Sequence, residues 1–460
     1  MAGIGFSITK SLARGTLRDT FLAYGFAALM GSGPWMISIL SLAFLSLATG
    51  GYAQQTTIQL FFVSITYAFS FSLVSTGAVQ LLLSRCASDQ IYAGERSRVG
   101  RLFVGGLLLS SALSLCAGIV LFGFSYPGDW LSRISAIALF AILGAIWTSI
   151  SFISAQKDYL LITIAFAIGY GLSYLFAYLG YQYLGAGFLM IGFTLGQLLL
   201  LLLLVFLFHR EFGIDLEIDF SFLSKIRTYL PLVICGTTYN LGIWVDKFIY
   251  WFASPFKQHL GGTLYACPVY DVAVYLSFLS IIPGIAVFLL KIETHFAREM
   301  AEYVEAIQSK ATLSMIEARS QRIINSVQDG FFAMVKIQGL VTLLLILSTD
   351  HLVSRLGIGA LQTGIFQITL IGAFLCVIFF SLLTVLFYLD CMKEAAVCTI
   401  VLFVANSSLT GLNLYLGAHS YGTGYVIAVA IAIIPAFYYV NRTLGQLTYR
   451  ILTKVPLGIE

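Results

Sequence analysis

The polar stretch His209-Arg-Glu-Phe-Gly-Ile-Asp215, continued by Lys225-Ile-Arg227, sits near the middle of a 460-residue chain that is otherwise overwhelmingly apolar. Working outward from it, six long apolar segments precede the stretch, at about 20–48, 58–84, 100–124, 131–153, 159–181 and 186–208. Six more follow, at about 229–252, 264–290, 329–348, 363–388, 394–415 and 421–441. A bilayer core requires roughly 20 apolar residues per spanning helix, and each segment meets that length. Hydrophobic residues make up 59% of the chain and charged residues 10%, with a mean hydropathy of +0.93. Soluble domains carry about 25% charged residues, so a soluble enzyme is excluded. The sequence predicts an all-α integral membrane protein with about 12 transmembrane helices in two six-helix bundles.

The basic residues predict the orientation. With the N-terminus in the cytoplasm, the cytoplasmic segments and helix ends hold all Lys and Arg except Arg133, Lys257 and Arg355 on the opposite side and Lys247 inside a span. That asymmetry over short loops places both termini inside. The expected organisation is a basic segment 1–19, a first bundle 20–208, a linker 209–228, a second bundle 229–441 with a cytoplasmic island 291–328, and a tail 442–460. In the first segment Ile4, Ile8 and Leu12 share one helical face and Lys10, Arg14 and Arg18 another. This suits a surface helix on anionic lipid, or a basic terminus that serves topology alone. The net charge of +4 reflects these topogenic residues, and no nucleic-acid-binding patch is expected. Neither a phosphate-binding GxxxxGK[ST] loop nor an HExxH or GxSxG motif occurs. Seven scattered cysteines and five isolated histidines predict no disulfide framework, no metal site and no cofactor.

Ionisable residues within a span are costly and mark candidate sites. The seventh span reads Tyr239-Asn-Leu-Gly-Ile-Trp-Val-Asp246-Lys247-Phe-Ile-Tyr-Trp-Phe252, and the eighth opens Cys267-Pro-Val-Tyr-Asp271. Consecutive antiparallel helices bring Asp246, Lys247 and Asp271 to similar depth. Two readings follow: a lining for substrate or protons, or a structural pair in which Lys247 neutralises Asp271. Adjacent residues 246 and 247 point about 100° apart, so a direct pair between them is not assured. Tyr170, Tyr174, Tyr178 and Tyr181 share one face of the fifth span, and Tyr239, Trp244 and Tyr270 add rings with polar handles. Such rings suit passage of a sugar, stacking on its CH groups and hydrogen bonding its hydroxyls; the alternative is an interfacial belt or core packing. Gly31, Gly33 and Pro34 in the first span and Pro283-Gly284 in the eighth are candidate hinges, since proline removes a helical donor. In the island, Phe296, Met300, Tyr303 and Ile307 recur at helical spacing as a candidate partner-docking face, or as part of a solvated connector.

The opening Met1-Ala-Gly-Ile-Gly-Phe6, the basic stretch after it and Ser32-Gly33-Pro34-Trp35 at the first span closely resemble the PelG family of exopolysaccharide transporters. The sharp match covers about the first 40 residues; Ser7-Ile-Thr-Lys10 is less charged than that family's pattern. The resemblance implies membership of the MATE/MOP flippase superfamily, with the two bundles packed about a central cavity. It also implies a non-enzymatic conduit in the bacterial inner membrane, exporting an N-acetylgalactosamine-rich polymer for the biofilm matrix. Expected partners are a cytoplasmic PelF-like glycosyltransferase and PelD-like and PelE-like membrane proteins, the former a cyclic-di-GMP receptor. The rival expectation is an ion- or proton-coupled flippase or antiporter of lipid-linked oligosaccharide or drugs.

Overall fold

A computed structural model describes residues 36–50, 56–124, 126–154, 159–213, 217–356 and 359–454. The chain forms two compact units, Gly33–Asp271 and one containing Val272–Glu460. In the first unit α1 covers Met36–Ala48, α2 Thr56–Tyr92, α3 Arg96–Phe122, α4 Trp130–Ser154, α5 Tyr159–Leu184, α6 Phe188–Phe212 and α7 Leu230–Ala253. The strands β1 (Gln258–Gly261) and β2 (Leu264–Ala266) form an antiparallel hairpin before α8, Pro268–Leu279.

The described parts of the predicted spans fall on helix, with three differences at the ends: α2 runs past the predicted 84 to Tyr92, the helix of the ninth span begins at Leu313 and not 329, and at the start of the eighth Leu264–Ala266 is strand and not helix. Gly261 and Gly262 take φ of +112° and +58°, a left-handed turn that reverses the chain into a hairpin. The hairpin is then tied down: Tyr67 Oη donates to the Tyr265 carbonyl at 2.8 Å and accepts from its N–H at 3.1 Å, and Thr263 Oγ1 donates to the Leu121 carbonyl at 2.5 Å.

Burial of apolar side chains in lipid gives helices little reason to associate, so close approach and polar contacts hold them together. On α2 and α7, Gly77 faces Gly236; a Cβ on Gly236 would meet the Gly77 carbonyl oxygen at 2.1 Å. Among α2, α3 and α4, Trp147 Nε1 donates to Ser72 Oγ at 2.9 Å, Thr148 to Ser110 at 2.6 Å, and Ser75 lies 3.1 Å from Ser114. The rings of Phe103 and Phe208 stack at 3.7 Å beside them in the core.

The second unit continues α8 into α9 (Ile282–Lys291), a π-helical turn Ile292–Phe296, and α10 (Ala297–Gln308). There follow α11 (Leu313–Leu347), α12 (Thr349–Leu356), α13 (Ala360–Tyr388), α14 (Met392–Leu416), α15 (Thr423–Gly445) and α16 (Leu447–Lys454). The expected island helix is therefore present as α10, and α11 runs unbroken from the island into the ninth span. Helix α11 packs against α9, α10 and α13, while α15 packs against α13 and α14.

Ten stretches among the described residues are long and apolar enough to cross a membrane. The 24-residue α7 is not one of them, and the described part of the first span, Met36–Ala48, is shorter.

Candidate functional site

The charged residues of α7 form a closed group. The adjacent Asp246 and Lys247 do pair: the lysine stem folds back along the helix, placing Nζ 3.2 and 3.1 Å from the two carboxylate oxygens and 2.9 Å from the Ile243 carbonyl, to which it donates. From α8, Tyr270 Oη donates to Asp246 Oδ2 at 2.5 Å. The Trp244 ring lies 5.6 Å from the ammonium. Asp246 and Tyr270 are fully buried and Lys247 nearly so. Two charges removed from water cost more than their attraction returns unless further hydrogen bonds satisfy them. The tyrosine hydroxyl, the backbone carbonyl and the indole face supply that compensation.

Asp271 stands apart from this pair. Its carboxylate accepts the Trp251 indole N–H at 2.9 and 3.0 Å and the Cys267 backbone N–H at 2.9 Å. The ion pair of Lys247 is thus with Asp246, and Asp271 is held by neutral donors. Asp271 remains partly exposed. Trp251 itself is buried and stacks on Tyr67, ring centroids 4.7 Å apart and planes 12° apart.

The tyrosines divide. Tyr170 is buried in the core of the first unit against Phe166 and Phe193, and its carbonyl accepts from Ser41 on α1. Tyr174 and Tyr178 stack on each other one turn apart, half-buried, with planes 1° apart. These residues belong to α5, which packs against α6. The Asp246 group belongs to α7, which packs against α2. Tyr239 is half-buried two turns before Asp246 on α7.

Of the hinge candidates, Gly31, Gly33 and Pro34 lie outside the described residues. Pro283 and Gly284 do interrupt the eighth span: α8 ends at Leu279 and α9 begins at Ile282. The break is filled by one side chain. Gln338, fully buried on α11, donates from Nε2 to the Ser280 carbonyl at 2.9 Å and accepts from the Gly284 N–H at 3.0 Å. A Cβ at 284 would stand 2.5 Å from Gln338 Oε1, which explains the glycine. In the island, Phe296 and Tyr303 are fully buried, Phe296 against the Tyr388 ring, and Met300 and Ile307 are half-buried.

Sequence reasoning missed Tyr67, Trp251 and Gln338. The charged residues were flagged because a formal charge in a span stands out; a neutral amide opposite a Pro-Gly break carries the same information but only once the fold is known. Trp251 had a legible signal, since a buried indole N–H requires an acceptor and Asp271 was the nearby carboxylate.

The family model of PelG, the exopolysaccharide exporter (EPS-E) family, matches residues 1–452. No curated protein matches the chain. Among solved structures, the outward-facing form of a multidrug resistance MATE family transporter of the MOP superfamily is similar, with a TM-score of 0.66 at 14% identity over 92% of this chain and 96% of that one. Its inward-facing counterpart gives 0.59 at 14% identity over 92% and 95%. A MATE in the bent conformation gives 0.60 at 14% identity over 93% and 97%. These likenesses establish the fold.

Proposed function

Because this chain belongs to the PelG exopolysaccharide exporter family and is a multi-pass membrane protein of MATE-like fold, we propose that it carries a nascent, N-acetylgalactosamine-rich Pel polymer across the bacterial inner membrane. Family and fold make it a transporter and not an enzyme. In this reading the chain crosses the membrane twelve times with both termini in the cytoplasm. A cytoplasmic PelF-like glycosyltransferase builds the polymer for the biofilm matrix and supplies the push, with PelD-like and PelE-like membrane proteins, and cyclic-di-GMP through the former, controlling the complex. The N-terminal basic segment rests on anionic lipid.

The observation that carries the reading is the family match over residues 1–452, nearly the whole chain. The site chemistry agrees with a neutral cargo. Asp246 and Lys247 neutralise each other, so α7 offers no buried net charge to attract an ion-like substrate, while the neighbouring rings and the Asp271 acceptor suit hydroxyl and acetamide groups. The second reading, an ion- or proton-coupled flippase, draws support from one observation: the Asp271 carboxylate takes its hydrogen bonds from neutral donors, the Trp251 indole and the Cys267 backbone N–H, so its charge is left for a proton or cation to neutralise.

The test is polymer export in cells lacking the gene and complemented with the chain. Matrix polymer should appear outside only when the chain is present, and polymer should remain in the cytoplasm without it. Export should also persist when an uncoupler collapses the ion gradient while polymer synthesis is sustained. Export that is independent of the chain would refute the transport reading; export abolished by the uncoupler with synthesis intact would favour the ion-coupled one.

A further inference from the structure

Helix α11 packs one face against α9, α10 and α13 and leaves the opposite face bare. The packed face carries the buried Ile323, Val327, Met334, Gln338 and Thr342 at helical spacing. On the other side Arg322, Asp329 and Lys336 recur every seven residues, and all three are exposed. Seven residues return to within about 20° of the starting direction, so the three side chains form one row about 21 Å long. Among the described residues none of the three has a hydrogen bond or ion pair. The exposed Phe332, Leu340, Leu343 and Leu347 fill and extend the same face.

The row enters the membrane. The predicted ninth span starts at 329, so Lys336 stands about 10 Å inside it. Among the described residues Lys336 is the one exposed charged side chain more than a turn inside any predicted span. Helix α15, by contrast, exposes Ile427, Ile431, Ile434 and Phe437, as contact with hydrocarbon requires. A charge at the depth of Lys336 calls for a partner, and three sources can be compared. Anionic lipid serves Arg322 and, by snorkelling, Lys336, but its phosphates repel the Asp329 carboxylate that lies between them. A second copy of the chain meets a symmetry problem. Two copies inserted the same way are related about the bilayer normal, so α11 would meet α11 in parallel with like charges level. A different helix carrying the opposite signs satisfies all three residues at once.

We infer that this face of α11 docks a membrane-spanning helix of a partner protein that continues into the cytoplasm and carries acid, base and acid at seven-residue spacing. Its acids stand level with Arg322 and Lys336 and its base with Asp329, while Phe332, Leu340 and Leu343 supply the apolar packing between the charged levels and beyond them. The seven-residue period sets the crossing: two helices that keep it in register wrap with a left-handed twist. The inference goes beyond the transport reading and needs only that α11 crosses the membrane; what the protein carries does not enter it.

The experiment uses the full chain in the membranes of its own cells, with photoreactive p-benzoylphenylalanine at Phe332 or Leu340 and, as a control, at Ile431 on α15. Irradiation at either α11 position should give one discrete adduct with a membrane protein, cross-linked through a spanning helix of the stated charge pattern, and the α15 position should give lipid adducts alone. The double variant Arg322→Glu, Lys336→Glu should lower the yield at least about fivefold, and replacing the partner's two acids by lysine should restore it. If the double variant fails to insert, Lys336→Gln at equal membrane level gives the same comparison with a smaller loss. Lipid adducts alone at the α11 positions, an adduct with a second copy of this chain, or no adduct at either position overturns the inference. So does a protein adduct whose yield ignores the charge changes, or one captured equally from Ile431. Polymer export is not part of the readout, so either result leaves the transport reading where it stands.

Discussion

The two units handle a buried polar problem in opposite ways. In Gly33–Asp271, α7 buries a full ion pair and closes it with a tyrosine hydroxyl, a backbone carbonyl and an indole face. In Val272–Glu460, a proline frees backbone groups between α8 and α9, and one neutral amide, Gln338, takes up both a donor and an acceptor. The first arrangement is expensive, held by contacts from α7 and α8, and leaves half-exposed rings and a carboxylate beside it. The second is cheap and sealed, with glycine at 284 admitting the amide. A transporter needs both kinds of place: one where polar groups and rings stay presented to cargo, and one where a bend is held without exposing backbone to lipid.

Removing one partner of each arrangement should expose that contrast. Lys247→Ala strands the fully buried Asp246 carboxylate and should cost about 3–5 kcal/mol, read as a large fall in thermal stability of the detergent-purified chain. Pairing it with Asp246→Asn should recover most of the loss; no recovery would mean the two residues are not energetically coupled. Gln338→Leu leaves the Ser280 carbonyl and the Gly284 N–H without their amide and should cost about 3 kcal/mol in the same assay. Gly284→Ala should be destabilising alone, and less so in a Gln338→Ala background, where the colliding oxygen is gone. Tyr270→Phe removes one hydrogen bond to the buried carboxylate and should cost about 1.5 kcal/mol, smaller than either loss above. Smallest of all, Tyr174→Ala breaks a half-buried stack worth about 1 kcal/mol; it should lower exported polymer at equal membrane protein level and barely move stability. Normal export in Tyr174→Ala would remove α5 from the polymer's route.

The difference between the regions is also the difference between what the residues announced and what they concealed. The long helices followed from the length of apolar runs, which the bilayer dictates; the short helices α12 and α16 escaped, being too short and polar to register as spans, and so did the hairpin at 258–266, because its apolar strand Leu264–Ala266 runs straight into Pro268 and looks like the start of a span. Asp246, Lys247 and Asp271 were legible because charge inside a span is costly. Their partners were not: the lysine's choice of Asp246 over Asp271 depends on a side chain folding back one turn, and the Trp251 latch depends on the relative rotation of α7 and α8. Phe296 and Tyr303 showed the right helical period, and period alone does not say whether a face meets a partner or the protein's own core. Gln338 had no signal at all, since an uncharged amide in a span reads as ordinary polar glue until a proline break is found opposite.

The central claim is that the α7 ring face and Asp271 border a water-filled path and not hydrocarbon. Single cysteines at 244, 248 and 271, introduced with the exposed Cys116 replaced by serine, can be challenged with a membrane-impermeant maleimide in intact cells and in inverted vesicles. The account predicts labelling at all three positions from at least one side, slowed when polymer is being exported. Failure to label any of them under every condition, with ready labelling by a lipid-soluble maleimide, would contradict it.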